Sequence, residues 1–513
     1  MSLQLDVNPL RQGLARERVI DPCIFVAFGG TGDLAHKKLL PALYHLHRGG
    51  LLPRSFAIVA YASGDMSDDD YRESIREAIA KAAPYLPTEG KEWDEFAALM
   101  RFVPRLDDTR KSLSGLKDKL ESLNGQIGAE GNYLFYFAIP PSTFMETAEG
   151  LGEVGLAQEE PGDGWRRLVI EKPFGTDLQS ARELNRALQK VFREDQIYRI
   201  DHYLGKETVQ NILVFRFANE FVEPILNVRY VDSVQITVAE SIGVETRGAF
   251  YDSTGALKDI VENHVLQILS LVCMEPPVSL EADAVRDEKL KVFSSIRHIE
   301  PREVDQYTVR GQYSGGMLLG ERVRAYTEED RVAPDSTTET FVAAKFYVDS
   351  WRWSGVPFYV RTGKRLAKRV TEIAIQLKSI PRVLFGEAHG EEVSPNVMAL
   401  NIQPDEGIAI LFEAKVPGMG YRIQPVKMGF RYGEAFGATA PDAYERLVMD
   451  AMLGDASLFS RADAVEATWG VVQPILDGWR QQHSPAYPYL PGSWGPAEAD
   501  GFIQRDGRKW RRL

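Results

Sequence analysis

Two patterns of apolar and polar positions divide the chain. Over roughly the first two hundred residues, short runs that are apolar at nearly every position alternate with segments of helical periodicity. Strands that are apolar on both faces and separated by helices are typical of a parallel sheet covered on both sides. This pattern predicts a Rossmann-like, doubly wound α/β domain. The runs read "CIFVAF", "FAIVAYA", "RFV", "YLFYFAI" and "RRLVIEK".

Longer strands, in which apolar and polar residues alternate, follow after Arg199. They include "VDSVQITVAE", "TFVAAKFYVD", "VTEIAIQLK" and "GIAILFEAK", with helical segments such as "ALKDIVENHVLQILSLVC" among them. This texture indicates an α+β arrangement built on a mostly antiparallel sheet. Because 513 residues exceed the size of one usual domain, we predict an N-terminal domain over residues 1–199 and a larger C-terminal domain over residues 200–513.

Charge and composition exclude several classes of protein. The chain carries 60 Lys plus Arg against 73 Asp plus Glu, and this net charge of −13 argues against a general nucleic-acid surface. Two cysteines, Cys23 and Cys273, suggest neither a disulfide framework nor a zinc site. There is no apolar leader at the N-terminus and no run of about 18 apolar residues. We therefore expect a cytoplasmic protein with no metal site and no nucleic-acid or membrane partner.

A glycine-rich turn follows the first apolar run. Gly30-x-Gly32-x-x-Ala35 stands after a strand and before a helix, which is the context that a dinucleotide-binding fingerprint requires. Its glycines permit close backbone approach, and the helix N-terminus offers N–H groups to a pyrophosphate. The alternative interpretation is a glycine-rich turn without a ligand.

The end of the second strand is the expected position of the adenine ribose. An arginine there suits a 2′-phosphate and an acid suits a free hydroxyl, but the chain has Ser63 followed by Asp65 and Asp68 to Asp70. The three consecutive aspartates are also the usual start of a helix. Their field still disfavours an extra phosphate.

Two polar stretches carry candidate chemistry. Lys172 in "VIEKPFGTD" follows a strand of the predicted parallel sheet, where side chains face the ligand crevice, although a single lysine there is often only solvated. In "YRIDHYLGKETVQN", His202, Tyr203 and Lys206 supply the donors that a phosphate monoester needs. A polar loop between domains is the alternative interpretation of this second stretch.

One histidine lies on an otherwise apolar helix. In "DIVENHVLQIL", His264 accompanies Asp259 among residues typical of a buried face, where a histidine is usually part of the core. A histidine paired with a carboxylate also forms a general base near neutral pH, and Asp201 is the candidate partner.

With these residues in place, the chain resembles the glucose-6-phosphate dehydrogenase family almost from end to end. The family's glycine turn is present at Gly29 to Ala35, its E-K-P-F-G block at Glu171 to Gly175, and its nine-residue signature at Arg199 to Glu207. Further blocks of the family read "RGAFYDSTGALKDIVENH", "GVPFYVRTGKRL" and "PDAYERL".

The resemblance implies oxidation of glucose 6-phosphate at C1 to its 1,5-lactone, the first step of the oxidative pentose phosphate pathway. It implies that His264 takes the proton of the C1 hydroxyl, that Asp201 orients the ring, and that Lys172 bridges cofactor and sugar. The implied sugar-binding residues are Lys172, His202, Tyr203, Lys206, Glu240, Asp259, Lys364 and Arg369. The implied cofactor-binding residues are Gly29, Gly30, Thr31, Gly32, Asp33, Leu34, Ser63, Pro140 and Lys172.

One departure from the family concerns the cofactor. Ser63 stands where the family usually has arginine, so we predict use of both NADP and NAD. The resemblance also implies a homodimer or homotetramer formed through the second sheet. Two alternatives remain: a related sugar oxidoreductase, which has no use for the phosphate-binding trio, and a non-catalytic dinucleotide sensor on the same fold.

Overall fold

The computed structural model describes residues 19–160, 162–318, 320–380, 393–418, 422–437 and 442–513. The prediction about an apolar leader concerns residues 1–18, which lie outside the described residues. The described chain forms two large sheets and one small hairpin. Within this part of the chain, no helix is long and apolar enough to cross a membrane.

The strands of the described residues are numbered in chain order. They are β1 Cys23–Phe28, β2 Phe56–Ala62, β3 Met100–Pro104, β4 Tyr133–Phe137, β5 Arg166–Ile170, β6 Ile197–Ile200, β7 Val231–Ala239, β8 Thr308–Tyr313, β9 Gly316–Leu318, β10 Glu321–Val323, β11 Phe341–Tyr347, β12 Pro357–Gly363, β13 Val370–Leu377, β14 Val397–Gln403, β15 Gly407–Lys415, β16 Ile423–Arg431, β17 Phe459–Ser460 and β18 Ala486–Tyr489.

The α-helices are numbered in the same way. They are α1 Leu40–Arg48, α2 Asp68–Ala82, α3 Lys91–Ala97, α4 Thr109–Ile127, α5 Phe144–Glu153, α6 Leu178–Gln189, α7 Glu207–Phe217, α8 Gly248–Ala256, α9 Leu266–Cys273, α10 Ala282–Ser295, α11 Val304–Tyr307, α12 Tyr432–Phe436, α13 Ala443–Leu453, α14 Ala462–Gln481 and α15 Ala497–Gln504. Two π-helical segments, Ala35–Leu39 and Leu257–Val265, run directly into α1 and α9.

The first sheet has the doubly wound order β17-β6-β5-β4-β1-β2-β3. Its strands β1 to β6 are parallel, and β17 joins one edge antiparallel to β6. All residues of β1, β2 and β4 are buried, because apolar clusters cover both faces. The predicted Rossmann-like domain is thus confirmed. Since β17 comes from the C-terminal part of the chain, the domain boundary after residue 199 stays a prediction.

The second sheet has nine strands in the order β16-β15-β14-β13-β7-β12-β11-β8-β18. Its pairs are antiparallel except for β7 with β12 and β8 with β18, which confirms the mostly antiparallel prediction. One face packs on the apolar side of α9 and α14, and the other packs on α15. The Pro/Gly-rich C-terminal segment supplies β18 and α15, so it is an ordered part of this sheet's surroundings.

Candidate active site

A cavity of about 460 Å³ lies between the two sheets. The first sheet contributes loops at the carboxyl ends of its parallel strands: Phe137 ends β4, Lys172 follows β5, and His202 follows β6. This edge is the usual ligand crevice of doubly wound folds. The second sheet contributes Glu240 after β7 and Lys364 after β12. These two residues are neighbours because β7 and β12 run parallel.

Most of the sequence-predicted catalytic and sugar-binding residues line this cavity. Asp201 lies directly behind it, bonded to a residue of the wall. The predicted residues in the wall are Lys172, His202, Tyr203, Lys206, Glu240, Asp259, His264, Lys364 and Arg369.

The Asp201–His264 pair is buried at the floor of the cavity. Oδ1 of Asp201 lies 2.5 Å from Nδ1 of His264, and the two side chains are 4% and 1% exposed. Burial lowers the pKa of His264 in spite of the adjacent carboxylate. Burial alone would raise the pKa of Asp201, but the interaction with His264 outweighs it and keeps the carboxyl ionised. The bond to Asp201 therefore holds the Nδ1–H tautomer and leaves Nε2 as the basic atom.

Lys172 sits against that basic atom. Its Nζ lies 3.1 Å from Nε2 of His264, 3.0 Å from Oδ1 of Asp259 and 2.9 Å from the carbonyl oxygen of Asp259. The ammonium group can donate to all three acceptors. Burial by itself would raise the pKa of Asp259, but Lys172 and nearby cations hold it below its usual range. The carboxylate thus pairs with the cation, and the lone pair of Nε2 faces the ammonium of Lys172 at the cavity wall.

The π-helical segment explains how Asp259 and His264 both reach Lys172. The two residues are five apart, and in a π-helix the hydrogen bonds join residues five apart, which brings them to neighbouring positions. In a regular α-helix, this separation would turn them away from each other. The helix predicted from the sequence is present, but it is π-helical over Leu257–Val265, and this segment carries Asp259 and His264.

The other end of the wall is rich in nitrogen donors. Lys206 lies over the ring of Tyr203 at 4.3 Å and donates to Oε1 of Gln403 at 2.5 Å. Burial and the charge of Arg369 lower the pKa of Lys206 to about 8. Burial, with the cations around it, holds the pKa of His202 well below its usual range. Hydrogen bonds from partly desolvated donors of this kind are strongest when the acceptor is an anion.

Glu240 and Lys364 form another pair of opposite charges in the cavity wall. Nζ of Lys364 donates to Oε2 of Glu240 at 2.5 Å. The backbone fixes both groups, because the N–H of Glu240 donates to the carbonyl of Gly363 at 3.0 Å. The pair offers both a donor and an acceptor to hydroxyl groups.

The same residues have metal-ligating side chains. Ligand atoms of Asp201, His202 and His264 lie within 4.8 Å of one another. The Asp201–His264 hydrogen bond already engages one atom of each partner. The prediction of a site without a metal stays a prediction.

The glycine turn has the shape of a phosphate cradle. Gly29 has a φ of +78°, and a Cβ there would lie 2.5 Å from the carbonyl oxygen of Ala138. A Cβ on Gly30 would lie 2.7 Å from the Cβ of Ala60. Only glycine fits these close approaches, and the following helix presents its N-terminus beside the turn. The residues present thus fit a dinucleotide.

The predicted cofactor residues are less closely grouped than the sugar-binding ones. Two of the predicted cofactor residues, Leu34 and Lys172, line the cavity. The others lie along the carboxyl edge of the first sheet, outside the lining of the cavity: Gly29, Gly30, Thr31, Gly32, Asp33, Ser63 and Pro140.

The lysines that follow the glycine turn are accounted for by ion pairs. Lys37 pairs with Asp33 at 2.8 Å within the first helical turns. Lys38 pairs with Asp442 at 3.0 Å, just before α13. The first contact is an i,i+4 pair of the kind that a local pattern indicates. The second joins the first helical turns to the start of α13, which no local pattern could have indicated.

Four polar residues of the cavity wall were missed by the sequence analysis of the site: Glu171, Arg247, Gln403 and Tyr444. Glu171 accepts a hydrogen bond from Tyr136 at 2.6 Å, and burial raises its pKa. Glu171, Arg247 and Tyr444 lie inside quoted family blocks, so these blocks were the available signal. Gln403 had none, because its role depends on the position of β14 beside β13.

The fold and this cavity define a dinucleotide-dependent oxidoreductase. A family profile described as "Glucose-6-phosphate dehydrogenase, NAD binding domain" matches residues 26–211, and one described as "Glucose-6-phosphate dehydrogenase, C-terminal domain" matches residues 213–511. The chain belongs to the glucose-6-phosphate dehydrogenase family, which confirms the resemblance read from its motifs.

Curated relatives and a solved structure match this chain over nearly its whole length. The chain is 46% identical over 507 residues to glucose-6-phosphate 1-dehydrogenase 2 of Mycobacterium tuberculosis, covering 98% of each chain. It is 45% identical over 490 residues to the enzyme of Aggregatibacter actinomycetemcomitans, covering 96% of this chain and 97% of the relative. A glucose-6-phosphate dehydrogenase solved with its substrate glucose 6-phosphate superposes with a TM-score of 0.87 at 34% identity, over 97% of this chain and 100% of the other.

Proposed function

We propose that the chain oxidises glucose 6-phosphate at C1 to 6-phosphoglucono-1,5-lactone with a nicotinamide dinucleotide as hydride acceptor. This is the first step of the oxidative pentose phosphate pathway. The observation that carries the proposal is the buried Asp201–His264 pair. Its hydrogen bond of 2.5 Å lies at the floor of a cavity that Lys206 and Arg369 also line. A base and an anion site in one cavity suit a sugar phosphate better than an unphosphorylated sugar.

The reaction removes a hydride from C1 and a proton from the C1 hydroxyl. The glycine turn at Gly29 to Gly32 would hold a nicotinamide dinucleotide, which would supply the hydride acceptor. His264 takes the hydroxyl proton at Nε2 as the C1–O bond becomes a carbonyl, and Asp201 stabilises the imidazolium that forms. Lys172 donates a hydrogen bond at the reacting oxygen, since its ammonium already lies 3.1 Å from Nε2. The C1 hydroxyl displaces the direct contact between these two groups and comes within hydrogen-bond reach of both.

The rest of the cavity orients the sugar. His202, Tyr203 and Lys206 bind the phosphate, and Arg369 adds charge at the same end. Glu240, Asp259 and Lys364 bind the ring hydroxyls through their carboxylate and ammonium groups. A phosphate anchored at one end and a hydroxyl held at the other place C1 next to the base, and such positioning accounts for much of an enzyme's rate.

The direct test is the production of reduced cofactor. The purified chain, mixed with glucose 6-phosphate and either NADP or NAD, should generate the absorbance of the reduced nicotinamide. Glucose at the same concentration should react far more slowly. No turnover with either cofactor would overturn the proposal and favour the non-catalytic sensor, and equal rates with glucose would favour a sugar oxidoreductase without a phosphate site.

We propose that both NADP and NAD serve as cofactors. Ser63 is exposed and offers one neutral hydroxyl where a guanidinium fork would bind a 2′-phosphate. We expect kcat/KM for NADP to exceed that for NAD by less than about a hundredfold, which is nearly 3 kcal/mol. Steady-state kinetics with each cofactor checks this, and a larger preference contradicts it. Ser63→Arg should raise kcat/KM selectively for NADP, while the exposed Arg54 at the opposite end of β2 gives an Arg54→Ala control.

The pH dependence of kcat/KM should have two limbs of different origin. His264 must be neutral to accept a proton, and burial lowers its pKa below 6.5, so activity should fall only below about pH 6.5. Lys206 has a pKa of about 8, so it loses its charge above that pH and binds the phosphate less well. A pH profile with glucose 6-phosphate should show both limbs. With glucose the alkaline limb should be absent, and an identical alkaline limb would show that another group titrates.

We also propose the division of labour between the domains. Residues 1–199 bind the dinucleotide, and residues 200–513 bind the sugar, supply the base and form the oligomer. An exposed apolar surface on β15 and β16, with Phe412, Val426, Met428 and Phe430, supports a homodimer or homotetramer through the second sheet.

A further inference from the structure

Arg105 lies beside the position where the family's usual arginine is replaced by Ser63. In the parallel pair of β2 and β3, Ala62 is level with Pro104, and each of the two residues in question follows directly. The backbone N–H of Arg105 donates to the carbonyl of Ala62 at 2.7 Å. Because neighbouring strands lie only about 4.8 Å apart, a side chain on β3 can serve the same edge position as one on β2.

The guanidinium of Arg105 is available for a ligand. This residue is exposed, and among the described residues its side chain forms no ion pair or hydrogen bond, although its charge acts on the hydroxyl of Tyr61. Arg72, the other arginine near this edge, is already engaged: it pairs with Asp69 at 2.7 Å and donates to the carbonyl of Met100 at 3.1 Å. Arg72 would have to give up both contacts to reach a phosphate.

The acidic field at this edge is weaker than the sequence indicates. Asp68 accepts the N–H of Phe102 at 2.7 Å, and Asp70 forms a capping box with Ser67 at the start of α2. Asp69 is neutralised by Arg72. The interpretation of the three aspartates as a helix start is confirmed, and Asp65 is the one acid of this group without a partner among the described residues.

We propose that Arg105 is the specificity-determining residue that binds the 2′-phosphate of NADP in this chain. The proposal rests on the proposed function only for the identity of the cofactor. It explains how a chain without arginine at position 63 retains NADP: the guanidinium comes from the next strand. Because this side chain is not held by other contacts, NAD is accepted without leaving a buried cation unpaired.

The test compares binding of NADP and NAD by titration calorimetry in the full chain. Arg105→Ala should weaken NADP binding by about tenfold or more and change NAD binding by less than about twofold. Arg105→Lys, which keeps the positive charge, should restore part of the loss. Arg54→Ala is the matched control, because it removes one exposed arginine from the amino end of β2 and should leave both affinities unchanged.

The outcomes separate this proposal from the proposed function. Equal loss for both cofactors, no loss for NADP, or a parent chain that binds NAD but not NADP would each overturn the role of Arg105. Failure to oxidise glucose 6-phosphate would overturn the proposed function, while the ratio of the two cofactor affinities would still decide the role of Arg105.

Discussion

His264→Ala should lower kcat for glucose 6-phosphate by about 10²- to 10⁴-fold, the usual contribution of a positioned general base. The loss is expected because Nε2 is the atom of the buried pair that meets the cavity, beside Lys172 at 3.1 Å. The dissociation constant for glucose 6-phosphate should change little, since the phosphate end of the cavity is untouched. Steady-state kinetics and calorimetric binding together measure the two effects.

A control variant and a measurement of thermal unfolding exclude loss of the fold as the cause of the lower kcat. The His298→Ala variant removes an exposed histidine outside the cavity and should leave kcat unchanged. Asp201 is left without its partner in His264→Ala, so thermal unfolding should accompany the kinetics to show that the variant is folded. A kcat within a few-fold of the parent would show that another group takes the proton.

The fold was predictable where local patterns were strong. The runs at β1 and β2 are apolar at every position because both faces of the sheet are covered, and this pattern is visible in sequence. β17 has only two residues, Phe459 and Ser460, and two residues carry no periodicity. Its place beside β6 is set by tertiary packing, so sequence reasoning had no means of finding it.

The candidate site was predictable to the extent that its residues stand in dense motifs. Asp201, His202, Tyr203 and Lys206 are adjacent in sequence and remain adjacent in the cavity. Arg105 could not be found in this way, because its relation to residue 63 exists only through the register of two strands. The π-helical form of Leu257–Val265 was not predicted, since an apolar pattern indicates a helix without showing which residues its hydrogen bonds join.

Lys206→Ala should separate phosphate recognition from the chemistry. Removing one charge-assisted contact to the phosphate dianion costs about 1.5 to 3 kcal/mol, or roughly 10- to 150-fold in kcat/KM for glucose 6-phosphate. The kcat/KM for glucose should change far less, because glucose presents no anion. Lys119→Ala, which removes an exposed lysine of α4, is the matched control for net charge.

The Lys206→Ala substitution is expected to lower kcat/KM strongly, because the surroundings of Lys206 disfavour its charged form when no phosphate is bound. Burial and Arg369 lower its pKa to about 8, and its one side-chain hydrogen bond within the described chain goes to the neutral amide of Gln403. A phosphate dianion supplies the missing counter-charge for both cations, so binding should raise the pKa of Lys206 again. The loss in Lys206→Ala should therefore shrink above about pH 8, where the parent has itself lost the charge. Equal losses for glucose and glucose 6-phosphate at neutral pH would instead show that Lys206 only supports the packing of Tyr203.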